Sequence, residues 1–280
     1  MAIVTISRGS MSGGEALARC LGASLGYPVL AREVLVEAAE KLGVSEELLR
    51  EKIQTPSGPI ERLREDRHLY LLALQSALVD HCTSGNLIYH GFAGQFLLKD
   101  LPAVLRVRLI APMAARVQAV VEREGVDPKT ALEYIKYIDQ ERIEWTKIVH
   151  GADWRDPRNY DVVINLRTID LDTACVMLSS VVNLPRYAIT EQVKKTFEDF
   201  ALACRIQVAL AVEPSLRGIV CEAHADEGNI AVTWQPASTG VETRPPKVIE
   251  VQIQKTAMTV GGIKSVTLRF RENRTSGRAA

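Results

Sequence analysis

The sequence predicts an α/β fold, a parallel sheet covered by helices, followed by a smaller α+β unit. Short apolar runs, around Ile3, Val4 and Ile6, at Asn86 to Tyr89, at Val104 to Ala111 and at Asp161 to Asn165, alternate with segments of helical period. That alternation builds parallel strands with helices on both faces. A turn rich in Gly and Ser, Ser7 to Gly14, joins the first run to the first helical segment, and ligand sites in such sheets lie beyond the strand C-terminal ends. After Asn183-Leu184-Pro185-Arg186 the pattern changes to helix, two strands, helix and strand.

In chain order, the first strand passes through the glycine turn into a helix with Leu17, Leu21 and Leu25 on one face. Tyr27 to Leu30 reads as a short buried strand, and Arg32 to Leu42 as a helix with Val34, Leu35, Ala38, Ala39 and Leu42 inward. Ser45 is placed to cap a helix over Glu46 to Ile53, and Pro56-Ser57-Gly58-Pro59 is a loop. A helix from about Arg62 to Cys82 precedes the strand at Asn86 to Tyr89, which enters the turn His90-Gly91-Phe92-Ala93-Gly94. Pro112 opens a helix carrying Arg116 and Arg123, and Pro128 opens a longer one. On the latter Ala131, Ile135 and Ile138 trace an inner face, while Asp139 and Arg142, spaced by three, can pair or jointly face a cleft. The strand Asp161 to Asn165 and the helix Leu171 to Val182 close the first unit.

Composition narrows the function classes. The 280 residues suffice for one large or two ordinary domains, and 47% hydrophobic with 24% charged residues is the composition of a soluble globular protein. Lys plus Arg equals Asp plus Glu at 34 each, so no overall field draws nucleic acid or an acidic membrane surface. No apolar run approaches the roughly 18 residues of a membrane span. The expectation is a cytoplasmic protein with no transmembrane segment. The five cysteines, Cys20, Cys82, Cys175, Cys204 and Cys221, are odd in number and form no C-x-x-C pair, which suits reduced, mostly buried thiols. The five histidines are dispersed and give no support for a metal site.

The glycine turn carries the chemistry. Where a strand runs through such a turn into a helix, unpaired backbone N–H groups and the positive end of the helix dipole converge, and a phosphate can be cradled there. Gly9, Ser10, Met11, Ser12, Gly13 and Gly14 keep the spacing of the G-x-x-x-x-G loop. The next two positions, ordinarily Lys and Ser or Thr, are Glu15 and Ala16. A carboxylate about 4 Å from a bound phosphate costs on the order of 4 kcal/mol at a near-surface dielectric, and less if it turns into solvent. Arg8 either supplies the missing positive charge or faces outward. The structural alternative is a tight turn that lets a buried strand meet its helix.

The blocks TISRGSMSGGEALARCLGASLGYPVL, RVRLIAPMAARVQAVVEREGV, YIKYIDQERIEW and GADWRDPRNYDVVIN follow one another in order. On them, residues 1 to about 182 resemble the cytidylate-kinase-like family of P-loop nucleoside monophosphate kinases. The resemblance implies a CMP or dCMP kinase fold over residues 1–185, with ATP phosphates on the Ser7 to Gly14 loop and magnesium if the protein is catalytic. Family lid arginines map onto Arg116 and Arg142, the catalytic candidates. The departures fall where the chemistry is done: Glu15 stands where the family usually has a basic residue, Ala16 where it has an acidic or hydroxyl residue, and Ala31 where members commonly carry Asp. Phosphoryl transfer is mostly positioning and charge neutralisation, so the expected protein binds a nucleotide with weak or lost turnover.

Residues 190–272 resemble a BON-type domain, on the element order, the Gly228-Asn229 turn and the segment Val260-Gly261-Gly262-Ile263-Lys264-Ser265-Val266. This implies an unidentified small ligand, lipid or protein partner for that unit. A rival from another class is a non-catalytic regulator, in which the kinase-like fold senses a nucleotide and the BON-like module reports it. Residues 273–280 are a polar, basic tail expected to be disordered, and Arg269, Arg271, Arg274 and Arg278 do not make a nucleic-acid patch.

Overall fold

The computed structural model describes residues 2–49, 60–91, 93–236 and 245–271. The apolar runs form a five-stranded, all-parallel sheet of β1 (Ile3–Arg8), β2 (Val29–Leu30), β3 (Leu87–Tyr89), β4 (Val104–Ile110) and β5 (Val162–Asn165) in the order β2-β3-β1-β4-β5. β1 is central: Thr5 lies opposite Tyr89 on one side and Arg106 on the other. The strand order reverses at β1, so the turn that follows it occupies the topological switch point, where open α/β sheets hold ligands.

Burial on both faces explains why β1 reads as a continuous apolar run, with Ala2, Ile3, Val4 and Ile6 all excluded from water. On one face α1 (Gly14–Leu25) and α7 (Leu171–Val182) pack through Leu17, Leu21, Ala174 and Leu178. On the other, α2 (Glu33–Leu42) and α3 (Ile60–Cys82) supply Val34, Ala38, Leu74 and Leu78. Helix α1 comes close to β2 because Gly22 has no side chain; a Cβ there would stand 2.5 Å from Val29 Cγ2 and 3.1 Å from the Tyr27 carbonyl oxygen. Gly22→Ala therefore sets a helix-propensity gain of about 1 kcal/mol against an overpacking cost of roughly 1–3 kcal/mol. A net loss of up to about 2 kcal/mol in urea unfolding is expected, and a raised midpoint would count against this contact.

Three further helices lie between β3 and β5: a single turn, α4 (Gly94–Leu97), then α5 (Met113–Glu124) and α6 (Pro128–His150). Asp127 caps α6, its Oδ1 accepting the Lys129 and Thr130 N–H groups at 2.9 and 3.2 Å, with Pro128 in the first turn and Gly151 closing the helix at φ 62°. Ser45 likewise accepts the Leu48 N–H at 3.1 Å, as a cap should. The rest of the helix expected there, the Pro56 to Pro59 loop and the tail at 273–280 lie outside the described residues.

One expectation is corrected. Cys20 on α1 and Cys175 on α7 form a disulfide, with Cα atoms 6.2 Å apart across 155 residues of sequence; Cys82, Cys204 and Cys221 are free. The sequence could not disclose the pair, because only the packing of α1 beside α7 brings the two together. Burial pushes the Cys204 thiol up to about 12, so it is inert.

The second unit consists of α8 (Glu191–Val212), β6 (Ile219–Asp226), β7 (Asn229–Pro236), α9 (Pro246–Ala257) and β8 (Ser265–Phe270), the expected α-β-β-α-β order. Its separate three-stranded sheet runs β6-β7-β8, antiparallel at the first pair and parallel at the second. Helix α8 serves two cores. Phe197 and Ala201 belong to the core under the parallel sheet, whereas Leu202, Ile206 and Leu210 pack with Ile230, Val232, Trp234 and Ile249. Among the described residues no helix is long and apolar enough to cross a membrane.

Candidate functional site

The loop after β1 has the backbone of an anion cradle. Gly13 takes φ +79° as it enters α1, and Met11 takes φ +59° although it is not a glycine. Ser12 is 2% exposed, and its Oγ has no hydrogen-bond partner among the described residues. Gly9 and Gly14 clear space. A Cβ on Gly9 would lie 3.0 Å from Arg116 Cζ and from Ser12 Oγ, and one on Gly14 would lie 2.8 Å from Arg8 Cγ. Glu15, the residue that stands where a lysine is usual, turns away: its carboxylate accepts from Arg19 Nη2 at 2.6 Å with both side chains more than half exposed. Most of the repulsion a phosphate would feel from it is thereby handed to solvent.

Helices α5 and α6 lie over this loop and deliver the two arginines. Arg116, 7% exposed, donates from Nε to the Ser10 carbonyl at 2.6 Å and from Nη2 to Asp139 Oδ2 at 2.6 Å. Arg142 donates from Nη1 to the Arg8 carbonyl at 3.1 Å and lies 3.7 Å from Asp139 Oδ1. Asp139 also accepts the Ser10 backbone N–H at 3.0 Å. Burial lowers the Arg142 pKa, with Asp139 opposing the shift and Arg116 adding to it. The loop residues and both arginines expected from the sequence are thus in one place, joined through Asp139.

A cavity of about 400 Å³ opens beside the loop, between the sheet and α6, walled by Tyr89, Trp145 and Trp154 and faced by Arg8, Gln95 and Arg142. Arg8 points inward. Its Nη1 donates to the Gly91 carbonyl at 3.2 Å, and among the described residues no carboxylate forms an ion pair with it. Burial, and next the Arg142 charge, pull its pKa down to about 10, which leaves it cationic at neutral pH. Behind the wall, Arg108 on β4 stacks over the Trp154 ring at 4.1 Å and donates to the Trp154 carbonyl. The Tyr160 hydroxyl donates to the Trp154 carbonyl at 2.6 Å and accepts from Ser7 Oγ at 3.1 Å and from Gln95 Nε2 at 3.3 Å. Glu141 also lines the cavity, and aromatic walls with the Arg8 and Arg142 guanidiniums at one end suit a flat ring that carries an anionic group.

Sequence reasoning missed Arg108, Tyr160 and Gln95. A signal was present: Arg106 and Arg108 are two apart in an otherwise apolar strand, which puts two cations on one face of a buried sheet. Among the described residues no group of three or more His, Cys, Asp or Glu is placed to hold a metal ion.

Residues 3–168 match the family model described as the cytidylate kinase-like family. A cytidylate kinase of Ignicoccus hospitalis is 28% identical over 168 residues, spanning 59% of this chain and 90% of that one. A cytidylate kinase of Methanothermobacter thermautotrophicus is 35% identical over 72 residues, spanning 26% of this chain and 45% of that one. Among solved structures, an uncharacterized protein from Eubacterium ventriosum superposes with a TM-score of 0.51 at 22% identity, over 65% of this chain and 99% of that one, a likeness of fold.

Proposed function

The chain belongs to the cytidylate kinase-like family, and we propose that it binds a nucleoside monophosphate of the CMP or dCMP class in the cavity and ATP phosphates at the Gly9 to Gly14 loop. The observation that carries this reading is Arg8, a cation aimed into an aromatic-walled cavity with no carboxylate ion-paired to it among the described residues. The monophosphate is the anion that would neutralise it. At the loop, Gly9, Ser10, Met11, Ser12, Gly13 and Gly14 fit a polyphosphate through the orphaned Ser12 Oγ and their backbone amides, of which the Ser12 N–H now bonds the Gly9 carbonyl and the Ser10 N–H bonds Asp139. Magnesium, which is ordinarily held by one or two carboxylates together with substrate phosphates and water, would supply charge neutralisation there.

Transfer would be a direct in-line displacement, with the acceptor phosphate oriented by Arg8 and charge on the moving phosphoryl group stabilised by Arg116 and Arg142. No covalent nucleophile is required. Turnover is proposed to be weak or lost, since Glu15 and Ala16 replace the loop's cation and hydroxyl. The test is ADP release in a coupled assay against a panel of nucleoside monophosphates. CMP or dCMP binding with turnover below about one per second, the low end of ordinary enzymes, is the expected result. Binding of neither nucleotide would remove the reading.

Glu15→Lys is expected to tighten ATP binding, because a negative charge near the loop becomes positive. With the side chain in solvent the gain is about 0.3–1 kcal/mol, roughly two- to fivefold by calorimetry. Unchanged or weaker affinity would argue against phosphate at this turn.

The same two substitutions favour a second reading, a non-catalytic nucleotide sensor that signals through the C-terminal unit. We infer a BON-like module there that takes a small ligand or protein partner. The Gly228 turn of its β6-β7 hairpin supports this: Lys264 donates its N–H to the Gly228 carbonyl at 2.7 Å, and a Cβ on Gly228 would meet the Gly262 carbonyl at 2.8 Å. Turnover with CMP above about one per second would remove the sensor reading.

A further inference from the structure

The loop's anion position is filled by the chain itself. Asp139 accepts the Ser10 N–H through Oδ1 and the Arg116 guanidinium through Oδ2, so one carboxylate has taken both an amide and an arginine that a phosphate oxygen would use. The tip of the loop is held as well. Met11 keeps a left-handed backbone that chirality disfavours for any residue with a Cβ. Its side chain packs into a small apolar cluster made by the buried Val120, Ala131 and Ile135, with Val117, Val121 and Val126 around them, where α5 meets α6. The carbonyls on either side of Gly9 are bonded from the same two helices, Ser10 by Arg116 and Arg8 by Arg142. Every one of these contacts ties the loop to α5 and α6.

We infer that α5 and α6 form a self-latched lid, in which Asp139 stands on the Ser10 amide in place of a nucleotide phosphate and Met11 anchors the lid to the loop. This regulation rests on the reading that the loop takes phosphate. The Ser10 N–H can serve only one anion, and a phosphate beside the Asp139 carboxylate would meet its like charge, so phosphate binds here only as Asp139 leaves, and its departure frees the Arg116 Nη2 donor for the ligand. The apparent affinity for nucleotide is then the intrinsic affinity reduced by the fraction of molecules whose latch is open. Closure in the absence of ligand, rather than closure driven by it, is the consequence.

Two variants of the intact chain test this, each followed by ATP calorimetry and by amide hydrogen exchange without nucleotide. Asp139→Asn keeps an acceptor of the same shape and removes the charge; Met11→Ala removes the anchor and leaves the charge cluster intact. Asp139→Asn is expected to bind ATP about tenfold more tightly, as an open fraction rising from about a tenth to near unity would give, with faster exchange at the Ser10 amide. Met11→Ala is expected to speed exchange across 113–150 and to tighten ATP about threefold by the same arithmetic. If Asp139→Asn binds ATP no better or more weakly, Asp139 serves the ligand and the latch is wrong. Unchanged exchange in both variants, with ATP still bound by the wild type, overturns the latch and leaves the nucleotide reading standing. Faster exchange in a chain that binds no ATP in any form overturns the nucleotide reading, and the competition with it.

Discussion

Arg8→Met is expected to weaken CMP binding by about a hundredfold while leaving the fold at least as stable. The guanidinium faces the cavity beside Arg142 with no ion-paired carboxylate among the described residues. A hydrogen-bonded charge pair with a monophosphate contributes roughly 3 kcal/mol in such a partly buried setting, which corresponds to about a hundredfold in the dissociation constant. Methionine retains the Cβ and Cγ of the stem that Gly14 admits at close range, so packing against α1 is largely kept. Removing a desolvated cation that has no carboxylate within ion-pair distance among the described residues, and only a weaker attraction to Glu15, should cost the folded state little. Calorimetry with CMP and urea unfolding, run together, separate the two effects. Unaltered CMP affinity would mean that the monophosphate lies elsewhere, and a large loss of stability would mean that Arg8 is structural.

Phe197→Ala should cost about 3–5 kcal/mol of unfolding free energy, as expected for emptying a fully buried aromatic site. Phe197 is 0% exposed and lies on α8, yet its neighbours are those of the first core, together with Ala201 and the flanking Val193 and Phe200. The rest of α8 packs into the second core through Leu202, Ile206 and Leu210. One rigid helix is thus shared, and a loss at Phe197 is expected to lower a single cooperative transition seen by probes in both units. Two transitions, with only the C-terminal one moved, would show instead a tethered module.

The sequence discloses elements whose physics is local. Strands β1, β3 and β4, buried over most of their length, and the short apolar run of β5 stand out by their Val, Ile and Leu content, and the period of Leu17, Leu21 and Leu25 marks α1. The glycine loop is legible because few chains place so many small residues between a strand and a helix. Arg116 and Arg142 are reached only through the family resemblance, since nothing in their own surroundings distinguishes them from surface arginines. What the sequence hides depends on distance along the chain. The Asp139 contact with Ser10 spans 129 residues and the disulfide spans 155, and neither has a local pattern. The inward turn of Arg8 and the outward turn of Glu15 are also undetermined by type; they follow from the space left by Gly14 and from the partner offered by Arg19.

The central claim is that this corner of the fold holds the phosphates of a nucleotide although the usual lysine is gone. Calorimetric titration of the intact wild-type chain with CMP and, separately, with ATP tests it most directly. Saturable heats at one equivalent of each nucleotide, with affinity weakened about a hundredfold for CMP in Arg8→Met and tightened for ATP in Asp139→Asn, are the expected result. No saturable heat with either nucleotide up to millimolar concentration would contradict it, and only the inherited architecture would then remain.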